Sequence, residues 1–329
     1  MTNARARFRF GVFAALVSIG CSQAERRDAS VERASAVLGD KTQNEPAANV
    51  SGEARDRSQR AAALPREDVL RLALISSQPA EAVARYGRLI DWLAQRAGYR
   101  AGDLVVHDSA DHVIGKLCDG SADLLLESVY PVVVSTLGCH ALPVAVAAKG
   151  NSYRYASTIV VRSDSDVTEL SGLGGRDILF EDDRSTSGYL VPRAMLEDVG
   201  LAVEPSDQAS RPGAVRYRFG REEMNLVGWV VHGLATAAAI SDQDLGEFQG
   251  AELKVISQSE ALPRQAVALS PVLTAGARER IRAALVQASS EAKAALDAAH
   301  TAGFVELSPD DRAFLARMQT MVARVGKGP

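Results

Sequence analysis

The sequence is poor in the residues that metal, redox and hydrolytic chemistry use. Its 329 residues include three cysteines and five histidines, and no histidine pair has the His-Glu-x-x-His spacing of a zinc site. It has no Gly-x-Ser-x-Gly elbow, and Gly172-Leu-Gly-Gly175 precedes a predicted strand, whereas the glycines of a nucleotide fingerprint follow one. The net charge of −4 gives no basic excess for nucleic acid. The sequence therefore predicts a protein that is not an enzyme, carries no cofactor or metal and binds no nucleic acid.

Long apolar runs are also missing, apart from one short segment near the start. Three arginines precede the apolar stretch Phe10–Ile19, which is too short for a stable transmembrane helix and is typical of a secretory leader. Gly20 and Cys21 match a bacterial lipobox, in which the leader is cut before a cysteine that receives lipid, although Ser18 stands where leucine is usual. We predict a lipoprotein signal peptide over residues 1–20 and a lipid on Cys21; the alternative is a plain signal peptide cut nearby.

Aromatic and β-branched residues are nearly absent from the segment that follows the leader. Residues 21–66 consist mainly of Ala, Ser, Arg, Glu and Gln, which bury too little apolar surface to order a chain. This composition predicts a flexible tether.

Beyond the tether, short apolar runs alternate with amphipathic segments. Predicted strands cover Leu70–Ile75, Leu104–His107 and Asp123–Glu127, with predicted helices between them over Ala80–Ala97 and Asp111–Cys118. This spacing is typical of a mostly parallel sheet covered by helices. A further strand at Ser157–Arg162, a second α/β segment from Leu170 to about Ala239 and a mostly helical end over Gly276–Val325 complete an α/β protein.

Two cysteines remain after the leader. Cys118 and Cys139 flank the same predicted strand, and an oxidising compartment would allow one disulfide between them. The sequence leaves open whether this bond forms.

The most informative segment joins a predicted strand at Ile178–Phe180 to a predicted helix at Gly188–Val199. Ser185, Thr186 and Ser187 lie directly before this helix. The first turn of a helix has unpaired N–H groups and a partial positive charge, so hydroxyl groups placed there offer several donors to one oxyanion. The same residues are also ordinary helix N-caps, and spacing alone does not decide between these two roles.

Taken in order, these segments resemble the periplasmic phosphonate-, phosphite- and phosphate-binding proteins of ABC importers. The resemblance runs from about Leu70 to Val272 and rests on the order and spacing of six short motifs. These are Ser76-Ser77-Gln78 after the first strand, Gly120–Pro131, Lys149-Gly150, Tyr153–Ser157, Ser185–Gly188 with Pro192, and Leu262-Pro-Arg264.

The resemblance implies a two-lobed periplasmic-binding-protein fold, with ligand trapped between lobes that hinge on two crossing strands. It implies that lobe 1 contains residues 67–156 and 245–329, and that lobe 2 contains residues 157–244.

The resemblance also implies a set of ligand-binding residues. Carried over, the family's anion site falls on Ser185, Thr186, Ser187 and Gly188, with Tyr155 opposite and the turn at Ser76 and Ser77 contributing. Hydroxyl and N–H donors suit an oxyanion. The alternative for Tyr155 is a core aromatic side chain.

Glu127, Tyr130 and Thr236 complete the expected site. Glu127 and Tyr130 lie at the carboxyl end of a predicted strand, where ligands of open α/β sheets bind, although packing at the strand end is an equal alternative. Members that hold an aminoalkylphosphonate carry aspartate where this chain has Thr236. Because threonine cannot neutralise an ammonium group, this difference favours phosphate, phosphite or an alkylphosphonate.

The function that follows is capture of a phosphorus oxyanion by a monomeric solute-binding protein. We predict that it is held in the periplasm by the lipid on Cys21, which is its only attachment to the membrane, and that it delivers its ligand to an ABC permease in the inner membrane. One alternative is a periplasmic sensor that presents the ligand-bound protein to a signalling receptor. A second alternative is a secreted hydrolase that uses Ser187.

Overall fold

The computed structural model describes residues 47–208, 211–248 and 250–325. Its strands form two six-stranded sheets and a two-stranded ribbon. Apolar side chains on each large sheet pack under helices, which gives each sheet a buried core of its own. We call the part built on the first sheet lobe 1 and the part built on the second sheet lobe 2. The predicted α/β class is confirmed.

The sheet of lobe 1 combines strands from distant parts of the chain. Its strand order is β14-β4-β13-β3-β1-β2. β1 lies parallel to β2 and β3, whereas β13 lies antiparallel to β3 and β4, between them. The strands are β1 (Val69–Ile75), β2 (Ala101–His107), β3 (Leu124–Glu127), β4 (Leu142–Ala147), β13 (Gln265–Leu269) and β14 (Phe304–Glu306).

Helices cover this sheet, and local sequence explains where they begin and end. The helix at Pro79–Arg96 has proline in its first turn, where no N–H partner is lost, and buries Leu89 and Ile90 completely. It ends before Gly98, whose φ of 82° suits glycine. The helices of lobe 1 are α2 (Pro79–Arg96), α3 (Ala110–Cys118), α4 (Val129–Cys139), α8 (Ala275–Glu291) and α9 (Lys293–Ala298).

The sheet of lobe 2 has the order β11-β6-β10-β7-β9-β8. β7 lies parallel to β10 and β9, whereas β6 lies antiparallel to β10 and β11. The strands are β6 (Ser157–Arg162), β7 (Asp177–Phe180), β8 (Val203–Pro205), β9 (Val215–Phe219), β10 (Ala237–Ser241) and β11 (Leu253–Gln258).

The helices of lobe 2 are short. A wide π-helical turn at Thr186–Leu190 leads into the first of them, so the predicted helix at Gly188–Val199 is present with a modified first turn. Every helix in the described part of the chain is too short or too polar to cross a membrane. The remaining helices are α5 (Val191–Asp198), α6 (Glu223–Val231), α7 (Asp242–Leu245) and the C-terminal α10 (Pro309–Val325).

Two short strands connect the lobes. β5 (Arg154–Tyr155) and β12 (Leu262–Pro263) pair antiparallel in the two-stranded ribbon. The chain leaves lobe 1 through β5 and returns to it through β12, which is the expected arrangement of two crossing strands.

The predicted return to lobe 1 at residue 245 is wrong. β11 pairs with β6 along its length, so residues up to 258 belong to the second sheet. The C-terminal helix packs against both lobes, because Phe314 and Met318 share an apolar cluster with Val133 of lobe 1 and Leu196 of lobe 2. The chain returns to lobe 1 only at β12, because β11 is still needed as the edge strand of the second sheet.

The predicted tether is wrong over residues 47–62, which form a helix, and its residues 21–46 lie outside the described residues. Ala61, in the last turn of helix α1 (Ala47–Ala62), is buried. Arg57 on this helix forms an ion pair with Asp91 on α2. A side chain at Gly87 would collide with the Arg57 guanidinium, at 2.7 Å from Nη2. Contacts with α2 therefore order a helix whose own composition would not.

A disulfide joins Cys118 and Cys139, with their Cα atoms 5.6 Å apart. The bond connects the C-terminal ends of α3 and α4, on either side of β3. Cys139 is therefore not a free thiol next to His140.

Candidate ligand-binding site

A cleft between the lobes lies at the carboxyl ends of the parallel strands of both sheets. Its volume is about 790 Å³, within the range typical of small-molecule sites. Loops after β1, β2 and β3 form the wall on lobe 1, and loops after β7, β9 and β10 form the wall on lobe 2. Open α/β sheets bind their ligands at this edge. Tyr155 and Arg264, next to the crossing ribbon, lie between the two walls.

The structure places Ser185, Thr186 and Ser187 on the wall of lobe 2. Ser185 is the N-cap, and its hydroxyl accepts the Gly188 N–H at 2.9 Å. The two expected roles, capping the helix and lining the cleft, are therefore compatible, because the same turn fulfils both. The π-helical turn is closed by the bond from Leu190 N–H to the Ser185 carbonyl, at 3.0 Å. Such turns are frequent at functional sites.

Main-chain contacts hold two of these residues. The Thr186 hydroxyl accepts the N–H of Tyr130, at 2.9 Å. The Ser187 carbonyl accepts the hydroxyl of buried Ser157, at 2.6 Å. The Tyr155 phenol lies near the side chains of Ser187 and Thr186, which act to lower its pKa against the larger, opposite effect of burial. The hydroxyl groups of the turn are thus held against the aromatic side chain by contacts from lobe 1 and from the start of lobe 2.

Tyr155 and Arg264 form the floor of the cleft. Both are buried, with 5% and 6% of their surfaces exposed. Burial raises the pKa of the Tyr155 phenol, and the nearby Ser187 and Arg264 offset part of this. Among the described residues the structure gives the Arg264 side chain one hydrogen bond, a long one of 3.5 Å to Asp244. The floor therefore presents a buried, weakly neutralised cation beside a hydroxyl group.

Ser76, Ser77 and Glu127 lie on the wall of lobe 1, as expected. The Glu127 carboxylate accepts the N–H of Ile75 at 2.7 Å and that of Ser128 at 3.4 Å. Burial raises the pKa of Glu127 to about 7, although these two N–H groups act to lower it. At neutral pH this carboxyl group is therefore close to the midpoint of its titration.

Two expected residues support the cleft without lining it. The Tyr130 side chain is buried, and its contribution to the turn is the main-chain N–H that Thr186 accepts. Gly188 packs against Glu181, and a Cβ there would lie 2.5 Å from the Glu181 Cβ. Only glycine lets the turn approach this closely.

Thr236 is not in the cleft, and its expected position there is wrong. It precedes β10 at the amino end of the strand, on the opposite edge of the sheet. Its hydroxyl and N–H both bond to Asp177 at the start of β7, at 2.8 and 3.2 Å. The residues that β10 sends into the cleft follow its other end, and Asp244 is among them.

Carboxyl groups outnumber cations in the cleft. Nine carboxyl side chains and four cationic ones line it. Burial raises the pKa of Asp182, and it raises the pKa of Glu181 to about 7. One cation, Arg184, bonds across the mouth of the cleft to Asp111 on lobe 1, at 2.7 Å. The surrounding carboxyl groups are Asp108, Asp111, Glu127, Glu181, Asp182, Asp183, Glu222, Glu223 and Asp244.

Sequence reasoning missed Arg264 as a site residue and Glu181 altogether. Arg264 belongs to a segment used for the resemblance, yet its depth in the cleft depends on the ribbon that carries Tyr155. Glu181 directly follows β7, so the rule that selected Glu127 at the end of β3 would have selected it as well.

The arrangement is suited to binding a small polar ligand. No histidine lines the cleft in the described part of the chain, so Ser187 has no imidazole base. The described residues also include no group of three or more side chains that could hold a metal ion. Hydroxyl groups, one buried arginine and several carboxyl groups can bind a small polar ligand and orient it.

Comparison with known proteins gives consistent relatives. The family described as "ABC transporter, phosphonate, periplasmic substrate-binding protein" matches residues 72–312. The phosphate-import protein PhnD of Mycolicibacterium smegmatis is 25% identical over 234 residues, which cover 68% of this chain and 72% of that protein.

Solved structures share the fold. XAC2383 from Xanthomonas citri bound to chloride ion is 25% identical with a TM-score of 0.74, and the match covers 80% of this chain and 100% of that one. The same protein bound to ATP gives 25% identity and a TM-score of 0.73 over 79% and 98% of the two chains. PhnD1 from Prochlorococcus marinus in complex with methylphosphonate is 13% identical, with a TM-score of 0.59 over 79% and 99%.

Proposed function

Because this chain belongs to the family of periplasmic substrate-binding proteins of phosphonate ABC transporters, we propose that its cleft captures a phosphorus oxyanion for import. The chain is a substrate-binding component of such a transporter and not an enzyme. The proposal concerns the ligand and the residues that hold it.

One observation carries the proposal. The hydroxyl groups of Thr186 and Ser187 are held against Tyr155 at the floor of the cleft, beside the buried Arg264 guanidinium. A tetrahedral oxyanion accepts hydrogen bonds in several directions, and a guanidinium adds charge and paired donors. Ser76 and Ser77 supply further hydroxyl groups from the opposite wall.

The excess of carboxyl groups limits which oxyanion fits. An ionised carboxylate only accepts hydrogen bonds, so it repels an anion that has no hydrogen to share. Singly protonated phosphate or phosphonate has such a hydrogen, and sulfate at neutral pH has none. We therefore infer selection against sulfate. Thr236 lies outside the cleft, so it no longer argues against a ligand with an ammonium group.

We also propose that the protein is anchored in the periplasm by lipid on Cys21 and acts as a monomer. The support is the sequence: Gly20-Cys21 follows an apolar leader. A lipid chain would keep the protein near a permease in the inner membrane without a transmembrane helix.

Calorimetric titration of the leader-free protein tests the ligand proposal. The panel contains inorganic phosphate, phosphite, methylphosphonate, aminoethylphosphonate, sulfate and ATP. We expect binding of at least one small phosphorus oxyanion at micromolar or lower concentration and at least tenfold weaker binding of sulfate and ATP. Equal affinity for sulfate would contradict the carboxyl argument, and binding of none of the phosphorus ligands would contradict the proposed function.

Delivery to a permease and presentation to a signalling receptor use the same closed protein. The family assigns a transporter partner. Ligand uptake by cells that lack this protein separates the two roles. Uptake should be lost if the protein delivers the ligand to a permease, and it should remain if the protein is a sensor.

A further inference from the structure

Ser185 lines the cleft, yet its hydroxyl hydrogen is already in use. Its Oγ donates to Oε2 of Glu181 at 2.6 Å and accepts the Gly188 N–H at 2.9 Å. A hydroxyl group has a single hydrogen. While Glu181 is ionised, Ser185 therefore has no hydrogen to give to an anion in the cleft.

The surroundings of Glu181 favour a proton on its carboxyl group. Gly188 packs so closely that a Cβ would lie 2.6 Å from Oε2, which holds the carboxyl group in contact with Ser185. Burial raises the pKa of Glu181 to about 7; the Ser185 hydroxyl acts to lower this pKa, and the like charges of Asp182, Glu223 and Asp244 act to raise it.

Other charged or titratable groups lie near Glu181 on the same side of the cleft. Arg221 donates its main-chain N–H to the Glu181 carbonyl at 2.9 Å, and its side chain lines the cleft with those of Arg184 and Arg264. Tyr155 also lies close enough for Glu181 to raise the pKa of its phenol. The structure gives none of these groups a hydrogen bond to the Glu181 carboxyl within the described residues, so Ser185 is its hydrogen-bond partner.

A proton on Glu181 changes the direction of this bond. The carboxylic acid becomes a donor, and Ser185 Oγ can accept from it and from Gly188 at the same time. The Ser185 hydrogen is then free to point into the cleft. The bond between the two side chains is kept, while one more donor becomes available to the ligand.

We propose that Glu181 is a proton-dependent positioning residue: protonation of its carboxyl group reverses its hydrogen bond with Ser185 and releases the Ser185 hydrogen for the bound oxyanion. This inference rests on the proposed function. It means that ligand capture takes up a proton on the protein, and that affinity falls as the pH rises above neutrality for a reason that does not lie in the ligand.

The variant Glu181→Gln tests the inference, because its amide donates to Ser185 at every pH as the protonated acid does. Inorganic phosphate and methylphosphonate are titrated into both proteins at pH 6 and pH 8. The titration of the ligand affects both proteins equally. The ratio of the two dissociation constants therefore reports only the protein's contribution to the pH dependence. We expect a ratio within about twofold at pH 6. At pH 8 about one tenth of the wild-type protein would be competent, and the variant should bind about tenfold more tightly.

Two controls separate this mechanism from simple removal of a negative charge. Glu222→Gln removes a carboxyl group from the same wall that is not among the like charges acting on Glu181, and should change affinity by the same factor at both pH values. When Glu181→Gln is added to Ser185→Ala, it should no longer increase the affinity at pH 8. Ser185→Ala alone should lose more affinity at pH 6 than at pH 8. Thermal unfolding of each variant without ligand checks that it is folded.

The outcomes distinguish the inference from the proposed function. If Glu181→Gln shifts affinity equally at pH 6 and pH 8, the inference is wrong although the oxyanion site stands. If neither ligand binds to the wild-type protein at either pH, the proposed function itself fails. A pH-dependent advantage that persists without Ser185 would also overturn the inference.

Discussion

The guanidinium group of Arg264 lies over the ring of Tyr155, with its central carbon 4.4 Å from the ring centroid. Tyr155 is the last residue of β5 and Arg264 directly follows β12, so the pair lies at the ribbon that joins the lobes. Stacking on an aromatic face leaves the N–H edges of an arginine free to donate. The pair is thus arranged to hold a charge in the cleft at the place where the lobes join.

Replacement of Arg264 by methionine should weaken oxyanion binding by about tenfold to a hundredfold. Hydrogen bonds to charged groups contribute about 1.5–3 kcal/mol, which corresponds to that range. Arg264→Lys should recover only part of the loss, because lysine does not present a planar group to the ring. Calorimetric titration with inorganic phosphate measures both.

A matched control is Arg218→Met, which removes another arginine over an aromatic ring, Trp229, at 5.5 Å and away from the cleft. It should bind as the wild type does. Unchanged binding by Arg264→Met would instead assign Arg264 to packing.

Thr186→Ala should reduce both binding and stability. The Tyr130 N–H would lose its acceptor in a buried place, which costs about 1–3 kcal/mol of unfolding free energy. Thr186→Ser keeps the hydroxyl group and should remain near the wild type. Ser187→Ala should weaken oxyanion binding by about tenfold to a hundredfold with a smaller change in stability, because the main-chain carbonyl of Ser187 makes the contact with Ser157.

Urea denaturation without ligand and calorimetry with phosphate measure the two effects. Equal stability of Thr186→Ala and Thr186→Ser would show that the bond to Tyr130 contributes little. Wild-type affinity in both alanine variants would show that the turn caps the helix and does not bind the ligand.

Glu127 should make the protein less stable as the pH rises towards neutrality. Burial raises its pKa from 4.5 to about 7. Between these values the folded protein keeps a proton that the unfolded chain releases, so the unfolding free energy falls with rising pH and levels off above about 7. Glu127→Gln removes this contribution, and its stability relative to the wild type should be greater at pH 8 than at pH 5.

Urea denaturation at the two pH values provides the measurement. Glu306→Gln, at an exposed position on β14, is the control and should leave the difference between the two pH values unchanged. Glu181 contributes a decrease of the same sign, so some pH dependence should remain in Glu127→Gln. A constant difference between Glu127→Gln and the wild type at both pH values would argue against a titrating Glu127.

Cys21→Ala should abolish lipid labelling and release the protein from the membrane fraction of the cells that produce it. The reason is that the lipid would be the protein's only attachment. Fractionation followed by immunodetection measures the release, and Cys118→Ala with Cys139→Ala serves as a cysteine control that keeps residue 21. Membrane association that survives in Cys21→Ala would rule out the lipid anchor.

Local patterns were sufficient for most of the strands. The apolar runs at Leu70–Ile75 and Ser157–Arg162 lie in β1 and β6, because a buried strand is encoded by its own side chains. The helix α1 could not be predicted in this way. Its order depends on Arg57 reaching Asp91 and covering Gly87, which are contacts between segments.

The candidate site was partly predictable for the same physical reason. Ser185, Thr186 and Ser187 follow a strand and begin a helix, so their position at the cleft is local information. Thr236 was misplaced because it comes before a strand, at the edge remote from the cleft. The depth of Arg264 depends on pairing of two distant strands, and no local pattern reports it.

The position of β13 between β3 and β4 has a consequence for the order of events during synthesis. Residues 69–147 cannot complete their sheet until residues 265–269 have emerged, because the central strand is missing until then. All strands of the second sheet are synthesised before that point. We therefore expect lobe 2 to fold first, because its contacts are closer in the chain. The earlier half of lobe 1 would keep unpaired strand edges during this time. The sheet of lobe 1 would therefore stay incomplete, with the edges of β3 and β4 unpaired, until residues 265–269 have been made.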